Sequence, residues 1–284
     1  MAHYIMCKNR KGGVGKTTLA THLSEGLSRR KYRVLSVDFD TQSNLKTSFI
    51  NRLDENVKLT SGHLLVGDPK EIVFDDAVHK LSDELHIIVS DQGLQTVNKM
   101  LASERNGGVK KLEKVFKAHG IDKKYDFVIF DLPSEMNAIS DTVTNITNLI
   151  IAPTTLDFDS VEGVRNLVDE LADFVEDGVF ESEDHVPSLL VVPMFFDARK
   201  QKRNKEHLGN LSELSNEFSD DILTSPIRTN IRFQDARDYG LTIYDIELDE
   251  EASKRYRVKK DQLTKGVDDV EKVIDRVLGE LGVK

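Results

Sequence analysis

The chain has 284 residues, 39% of them apolar and 31% charged, with a formal net charge of −10. That balance fits a soluble α/β protein with a sizeable core, and one domain is the natural expectation for the length. The one cysteine, Cys7, excludes disulfides within the chain and a cysteine-held metal or iron–sulfur site in one subunit; it is expected as a small core residue. No apolar run has membrane-spanning length and no room is left for a signal peptide before the first strand, so a cytoplasmic protein is expected.

In chain order, Tyr4-Ile5-Met6-Cys7 reads as a buried strand, 3–7. It leads into Arg10-Lys11-Gly12-Gly13-Val14-Gly15-Lys16-Thr17-Thr18, after which Leu19, Ala20, Leu23 and Leu27 take helical spacing over 16–30. Strand, glycine loop and helix form the context of a phosphate-binding loop. The glycines allow the backbone N–H groups to converge on phosphate oxygens, and the helix N-terminus adds positive potential. In such a loop Lys16 reaches the β- and γ-phosphates and the Thr17 hydroxyl ligates Mg²⁺. The standard pattern has a glycine where Arg10 stands, and this loop carries a second lysine, Lys11. In that respect it resembles the deviant Walker A loop of the ParA/MinD family of ATPases. The resemblance implies an ATP site made by Lys11, Gly12, Gly13, Val14, Gly15, Lys16, Thr17 and Thr18. It also implies that Lys11 crosses a dimer interface to the partner's nucleotide, so that ATP, and not ADP, bridges a homodimer.

The next strand, 33–38, ends in Val37-Asp38-Phe39-Asp40-Thr41-Gln42-Ser43-Asn44, which resembles the family's second acidic motif with Thr41 in place of the usual proline. Asp38 is expected near the metal; by resemblance, Asp40 positions or polarises the attacking water. A strand at 86–90 and helices at 93–104 and 110–119 follow, with Gly107-Gly108 as a loop. Phe127-Val128-Ile129-Phe130-Asp131, inside a strand at 126–131, has the Walker B form, an apolar strand ending in an aspartate that holds Mg²⁺ through a water. Leu132 and Ser134 depart from the family's usual residues after this aspartate.

A helix at 137–146, a strand at 148–152, a helix at 160–175, a strand at 188–194 and a helix at 206–218 complete the alternation. Ile151-Ala152-Pro153-Thr154-Thr155 with Ser160 to Gly163, and Val191 to Arg199, resemble further conserved segments of the family. Ser225 to Arg232 resembles the segment that approaches the adenine, which brings Pro226 into the implied ATP site. The short apolar strands suit a doubly wound, mostly parallel sheet with helices on both faces, the P-loop NTPase fold of deviant Walker A type. The whole chain, 1–284, is expected as a single P-loop ATPase domain. Val267, Val270, Val273, Ile274, Val277, Leu278 and Leu281 line one face of a C-terminal helix, 265–284, expected to dock on the core.

Two basic clusters stand out in an acidic chain: Arg199, Lys200, Lys202, Arg203 and Lys205, and Lys254, Arg255, Arg257, Lys259 and Lys260. A basic face tracks phosphates without reading bases. Contact with nonspecific double-stranded DNA is expected from the first cluster or from Arg228 and Arg232. With the phosphate loop starting at residue 10, no separate helix-turn-helix is expected ahead of it. The family resemblance then implies an ATP-dependent, nucleoid-associated partition ATPase, with ATP and Mg²⁺ as cofactors and a ParB-like centromere-binding partner that stimulates weak intrinsic hydrolysis. The alternative is a MinD-like membrane-associated positioning ATPase. Asp268, Asp269, Glu271, Asp275 and Glu280 on the C-terminal helix disfavour an anionic membrane, and none is expected as a partner.

Overall fold

The computed structural model describes residues 1–104, 108–135, 137–177, 186–197, 202, 204–206, 209, 222–248 and 260–283. Each apolar run becomes a strand with its two faces covered: β1 (His3–Cys7), β2 (Val34–Asp38), β4 (Leu85–Ile88), β5 (Phe127–Asp131), β6 (Leu149–Thr154) and β7 (Ser188–Pro193). A two-residue strand, β3 (His79–Lys80), turns back through Ser82 onto β4. Among the described residues the sheet has seven strands in the order β3-β4-β2-β5-β1-β6-β7, parallel except for β3. The doubly wound, mostly parallel sheet is as expected; β3 was not, because two polar residues carry no strand pattern.

Among the described residues the α-helices are α1 (Lys16–Arg29), α2 (Asn44–Ser48), α3 (Leu94–Ser103), α4 (Lys111–His119), α5 (Ile121–Lys124), α6 (Ala138–Thr144), α7 (Phe158–Glu176), α8 (Arg232–Asp238), α9 (Ile243–Leu248) and α10 (Lys260–Glu280). Alternation along β5 divides the core. Phe127 and Ile129 face a layer with Leu19, Leu23 and Leu27 of α1 and Ile274 of α10, while Val128 and Phe130 face Leu101, Val115, Val143 and Val164 of α3, α4, α6 and α7. The expected helix at 206–218 falls almost wholly outside the described residues. Helices α8 and α9 are too short to have shown a period, and α8 is also sparsely apolar, with only Phe233 and Ala236 buried.

The apolar row of α10, from Val267 to Leu278, is buried against α1 and α9. Its acidic residues face arginines. Glu271 and Asp275 accept from Arg30 at 2.9 and 2.7 Å, and Asp269 takes a two-pronged contact from Arg228 at 2.8 and 2.7 Å. Among the described residues no helix is long and apolar enough to cross a membrane.

Candidate active site

In a doubly wound sheet ligands sit at the strand C-termini near the point where strand order reverses. Here that point is the end of β1, flanked by β5 and β6. The chain leaves β1 through Asn9, which is fully buried. Its Nδ2 donates to the carbonyls of Pro153 and Ser160 at 2.8 and 3.2 Å, and its Oδ1 accepts the Lys11 N–H at 2.9 Å. The loop is thereby tied to the end of β6 and the start of α7. Gly163 of α7 makes the fit possible, since a Cβ there would stand 2.2 Å from Asn9 Oδ1. Gly15 enters α1 at φ +100°, and a Cβ on it would lie 2.8 Å from Met194 Cε. Only glycine meets both demands at that position.

Gly12, Gly13, Gly15, Lys16, Thr17, Thr18 and Asp40 line a cleft of about 610 Å³. Its far wall is Thr229, Asn230, Ile231, Phe233, Gln234 and Arg237. The Lys16 ammonium folds over the loop and donates to the carbonyls of Lys11 and Asn9 at 3.0 and 3.3 Å. Burial lowers its pKa, with Asp131 and Asp40 opposing. Val14 is buried beneath the loop. Pro226 is not among the residues lining the cleft; the wall begins three residues later, at Thr229.

Asp38 and Asp131 end neighbouring parallel strands and are register partners, and both are fully buried. Their surroundings differ. Asp38 accepts the N–H of Asp40 at 2.9 Å and of Leu45 at 3.2 Å, one on each oxygen, and so shapes the turn after β2. Neither oxygen of Asp131 has a hydrogen-bond partner. The Thr17 hydroxyl lies beside Asp131 and favours its charged form without completing a bond of good geometry. Burial lifts the Asp131 carboxyl to about 7, and burial together with Asp131 pushes Asp38 well above the usual carboxylate range. An orphaned buried carboxylate beside a threonine hydroxyl at a phosphate loop fits a divalent cation that keeps most of its waters. The structure thus separates the two aspartates expected at the metal: Asp131 has oxygens to offer, and those of Asp38 are engaged by its own backbone.

Asp40 lies past the end of β2, where its Oδ1 accepts the Gln42 N–H at 2.9 Å in a turn, and it is half-buried at the cleft. Lys11 stands elsewhere. Its ammonium leaves its own cleft and bonds Asp157 Oδ1 at 3.1 Å and Asp159 Oδ2 at 2.8 Å, at the N-terminus of α7. Asp157 caps that helix by accepting the Ser160 N–H at 2.9 Å. Burial pushes the Asp157 carboxyl up, but bonds from Thr155, the Ser160 amide and Lys11 outweigh it and hold its pKa at about 2. Hydrogen bonds to Asp159 and Asp157 raise that of Lys11. The sequence reading passed over these two aspartates and Asn9. Asp157 carried a helix-cap signal, whereas Asn9 carried none.

Of the residues expected to touch DNA, Lys202 and Lys205 are exposed, while Arg199, Lys200 and Arg203 lie outside the described residues. So do Lys254, Arg255, Arg257 and Lys259 of the second cluster, and the side chain of Lys260. Arg228 is exposed and Arg232 half-buried, and each is ion-paired. Arg228 is engaged by Asp269, and Arg232 pairs with Asp235 at 2.5 Å with its side chain only 17% exposed.

Residues 2–181 match the family model described as an AAA domain. The chain belongs to that family, on its ParA/MinD branch. The chromosome-partitioning ATPase Soj of Thermus thermophilus is 27% identical over 239 residues, 84% of this chain and 86% of that protein. The maintenance of carboxysome distribution protein A of Synechococcus elongatus is 24% identical over 242 residues, 84% and 90% of the two chains. The fold is also that of an McdA variant from Cyanothece solved as a complex with ATP. That match has a TM-score of 0.78 at 22% identity and covers 100% of this chain and 97% of that one. The relatives of this ParA-type chain thus include a chromosome-partitioning ATPase and a protein named for maintaining carboxysome distribution.

Proposed function

We propose that this chain is a magnesium-dependent ATPase whose ATP-bound homodimer holds nonspecific double-stranded DNA, and that a ParB-like partner stimulates hydrolysis to release it in DNA partition. The placement of Lys11 carries this reading. Its ammonium does not line its own cleft but is paired with Asp157 and Asp159 and partly exposed, which supports a role toward a second subunit. The amides of Gly12 to Gly15, with Lys16, Thr17 and Thr18, would cradle the triphosphate. Thr17 and Asp131 would hold Mg²⁺, with Asp38 behind them. When bound, the ion supplies charge neutralisation at the β- and γ-phosphates. Asp40, at the edge of the cleft beyond the metal carboxylates, would orient the attacking water; Lys16 and the loop amides would take up charge on the departing phosphate.

The DNA surface is assigned to the run 199–205, of which Lys202 and Lys205 are exposed. The buried apolar row of α10 supports this reading over a membrane-bound alternative, since the face that would enter lipid is already covered. In this reading the protein is cytoplasmic and associates with the nucleoid. The test is binding of a fluorescent random-sequence duplex at fixed moderate salt with ATP, ADP or no nucleotide. Tight binding with ATP alone is expected. Equal binding in all three states contradicts a nucleotide-gated DNA surface, and no binding in any contradicts the DNA partner.

A further inference from the structure

Lys8 is one of the largest fully buried side chains of the molecule, at 1% exposure. It continues the phase of Tyr4 and Met6, which face the core layer of α3 to α7, so its side chain runs under the sheet face away from α1. There the ammonium donates three hydrogen bonds, to the carbonyl of Pro133 at 3.2 Å, the carbonyl of Glu135 at 3.0 Å and Ser140 Oγ at 3.2 Å. The two carbonyls belong to the loop that leaves Asp131. Ser140 lies in the first turn of α6, and its N–H is taken by the capping Asn137 at 2.9 Å. Among the described residues Lys8 forms no ion pair. The acids whose charge acts on it are Glu170 of α7 and Asp141 of α6, and Glu170 Oε2 is buried without a hydrogen-bond partner.

A buried ammonium with neutral acceptors alone is costly; a hydroxyl or amide could have filled the space with less desolvation. What the charge adds is strength and reach. Charge-assisted bonds to two loop carbonyls hold the segment after Asp131 more tightly than neutral bonds would. They also fasten it to β1 on one side and to α6 on the other.

We propose that Lys8 is a positioning residue that fixes the loop 132–135, and through it Asp131 and the Ser134 edge of the cleft, in the hydrolysing arrangement. The inference rests on the proposed ATPase reading. Lys8 touches neither the cleft nor the nucleotide; it acts through backbone carbonyls.

The experiment is Lys8→Met in the full chain, which keeps the length of the side chain and removes the charge. ATP turnover is expected to fall about ten- to a hundredfold, as for a displaced reacting geometry, with KM for ATP changed less than about threefold. Hydrogen–deuterium exchange of the nucleotide-free protein is expected to rise in the peptide spanning 132–140 and not in the phosphate loop. Ser140→Ala, which removes one acceptor and leaves the charge, should give a smaller change of the same kind, and it stands in should Lys8→Met fail to fold. Unchanged turnover with unchanged exchange at 132–140 overturns the inference while leaving the ATPase reading intact. A rise in KM matching the fall in turnover overturns it too, by making Lys8 a general support of the site. A wild-type chain without ATP hydrolysis contradicts the ATPase reading by itself, and the exchange readout then still decides whether Lys8 holds the loop.

Discussion

The floor of the cleft and its outer rim are built from the same few residues of loop, yet they are completed in different ways. On the floor, Lys16, Thr17 and Asp131 come from the ends of α1 and β5 and converge with no other subunit present. On the rim, Lys11 turns away from that cleft and is held by Asp157 and Asp159, about as far from it in sequence as half the chain. The floor carries groups suited to a phosphate and a cation, and the lysine of the rim is ion-paired within its own chain. A charged pair with its lysine 31% exposed is worth little as a fastening, so it can be exchanged for a stronger contact when one arrives. In the proposed dimer, the floor is the half that one chain finishes and the rim the half that its partner completes.

Several substitutions test that division, beginning with the largest effect. Asp131→Asn should reduce ATP turnover by about a hundredfold or more, since it removes the orphaned carboxylate from the phosphate end of the floor. In magnesium-free buffer the same variant should melt no lower than the parent, because a buried carboxylate with no partner contributes no stability. A clear drop in melting temperature would mean that Asp131 is structural and that the floor is not a metal site.

His22 joins the helix that starts at the floor to the far wall of the cleft. Its Nδ1 donates to the Thr18 carbonyl at 2.7 Å, its Nε2 accepts the Ile243 N–H at 3.3 Å, and its ring meets Phe233 of the cleft wall edge-on at 4.9 Å. Burial lowers its pKa from 6.5 to about 4, with the Thr18 contact opposing. The unfolded chain therefore binds the proton first as pH falls, and stability is present above about pH 6.5 and lost on the way down to about pH 4. The loss attributable to His22 amounts to about 3 kcal/mol. Because the raised carboxyls of Asp38, Asp131 and Glu170 act in the opposite sense, the measurement is the difference in unfolding free energy between the parent and His22→Gln across that range. A difference independent of pH would contradict the buried neutral histidine.

Asp38→Ala separates the two aspartates of the floor. It leaves the N–H groups of Asp40 and Leu45 without acceptors and should cost about 1–3 kcal/mol in denaturant unfolding. Asp131→Asn should show no such cost, and equal losses for the two would erase the distinction drawn between them. On the rim, Asp157→Asn with Asp159→Asn loosens the hold on Lys11 and should strengthen ATP-dependent dimerisation about two- to fivefold by sedimentation. Weaker dimerisation would mean that these acids serve the assembled state.

The floor was legible in the sequence because local patterns make it. Strand, glycine loop and helix are contiguous, and both acidic strand ends stand directly after apolar runs. What sequence could not supply was which oxygens remain unpartnered. Asp38 and Asp131 look alike in one dimension; the turn that brings the amides of Asp40 and Leu45 onto Asp38 tells them apart. The rim depends on contacts between distant segments. Nothing near residue 11 points to Asp157, which reaches Lys11 because β6 lies beside β1 and Leu156, at φ +60°, turns the chain into α7. The pairing of Arg228 with the buried Asp269 was hidden for the same reason, since Asp269 lies 41 residues on, on the C-terminal helix.

The account stands or falls on whether Lys11 serves the neighbouring subunit. Lys11→Ala and Asp40→Ala chains, each expected to hydrolyse ATP poorly alone, should be mixed in equal amounts and their ATP turnover measured. If Lys11 acts across the interface, the Lys11→Ala subunit keeps its own Asp40 and receives Lys11 from its partner. About a quarter of the parent rate should then return, since half the dimers are mixed and one of their two sites is complete. No recovery from the mixture, with dimers formed, would place Lys11 and Asp40 in the same site and contradict the account.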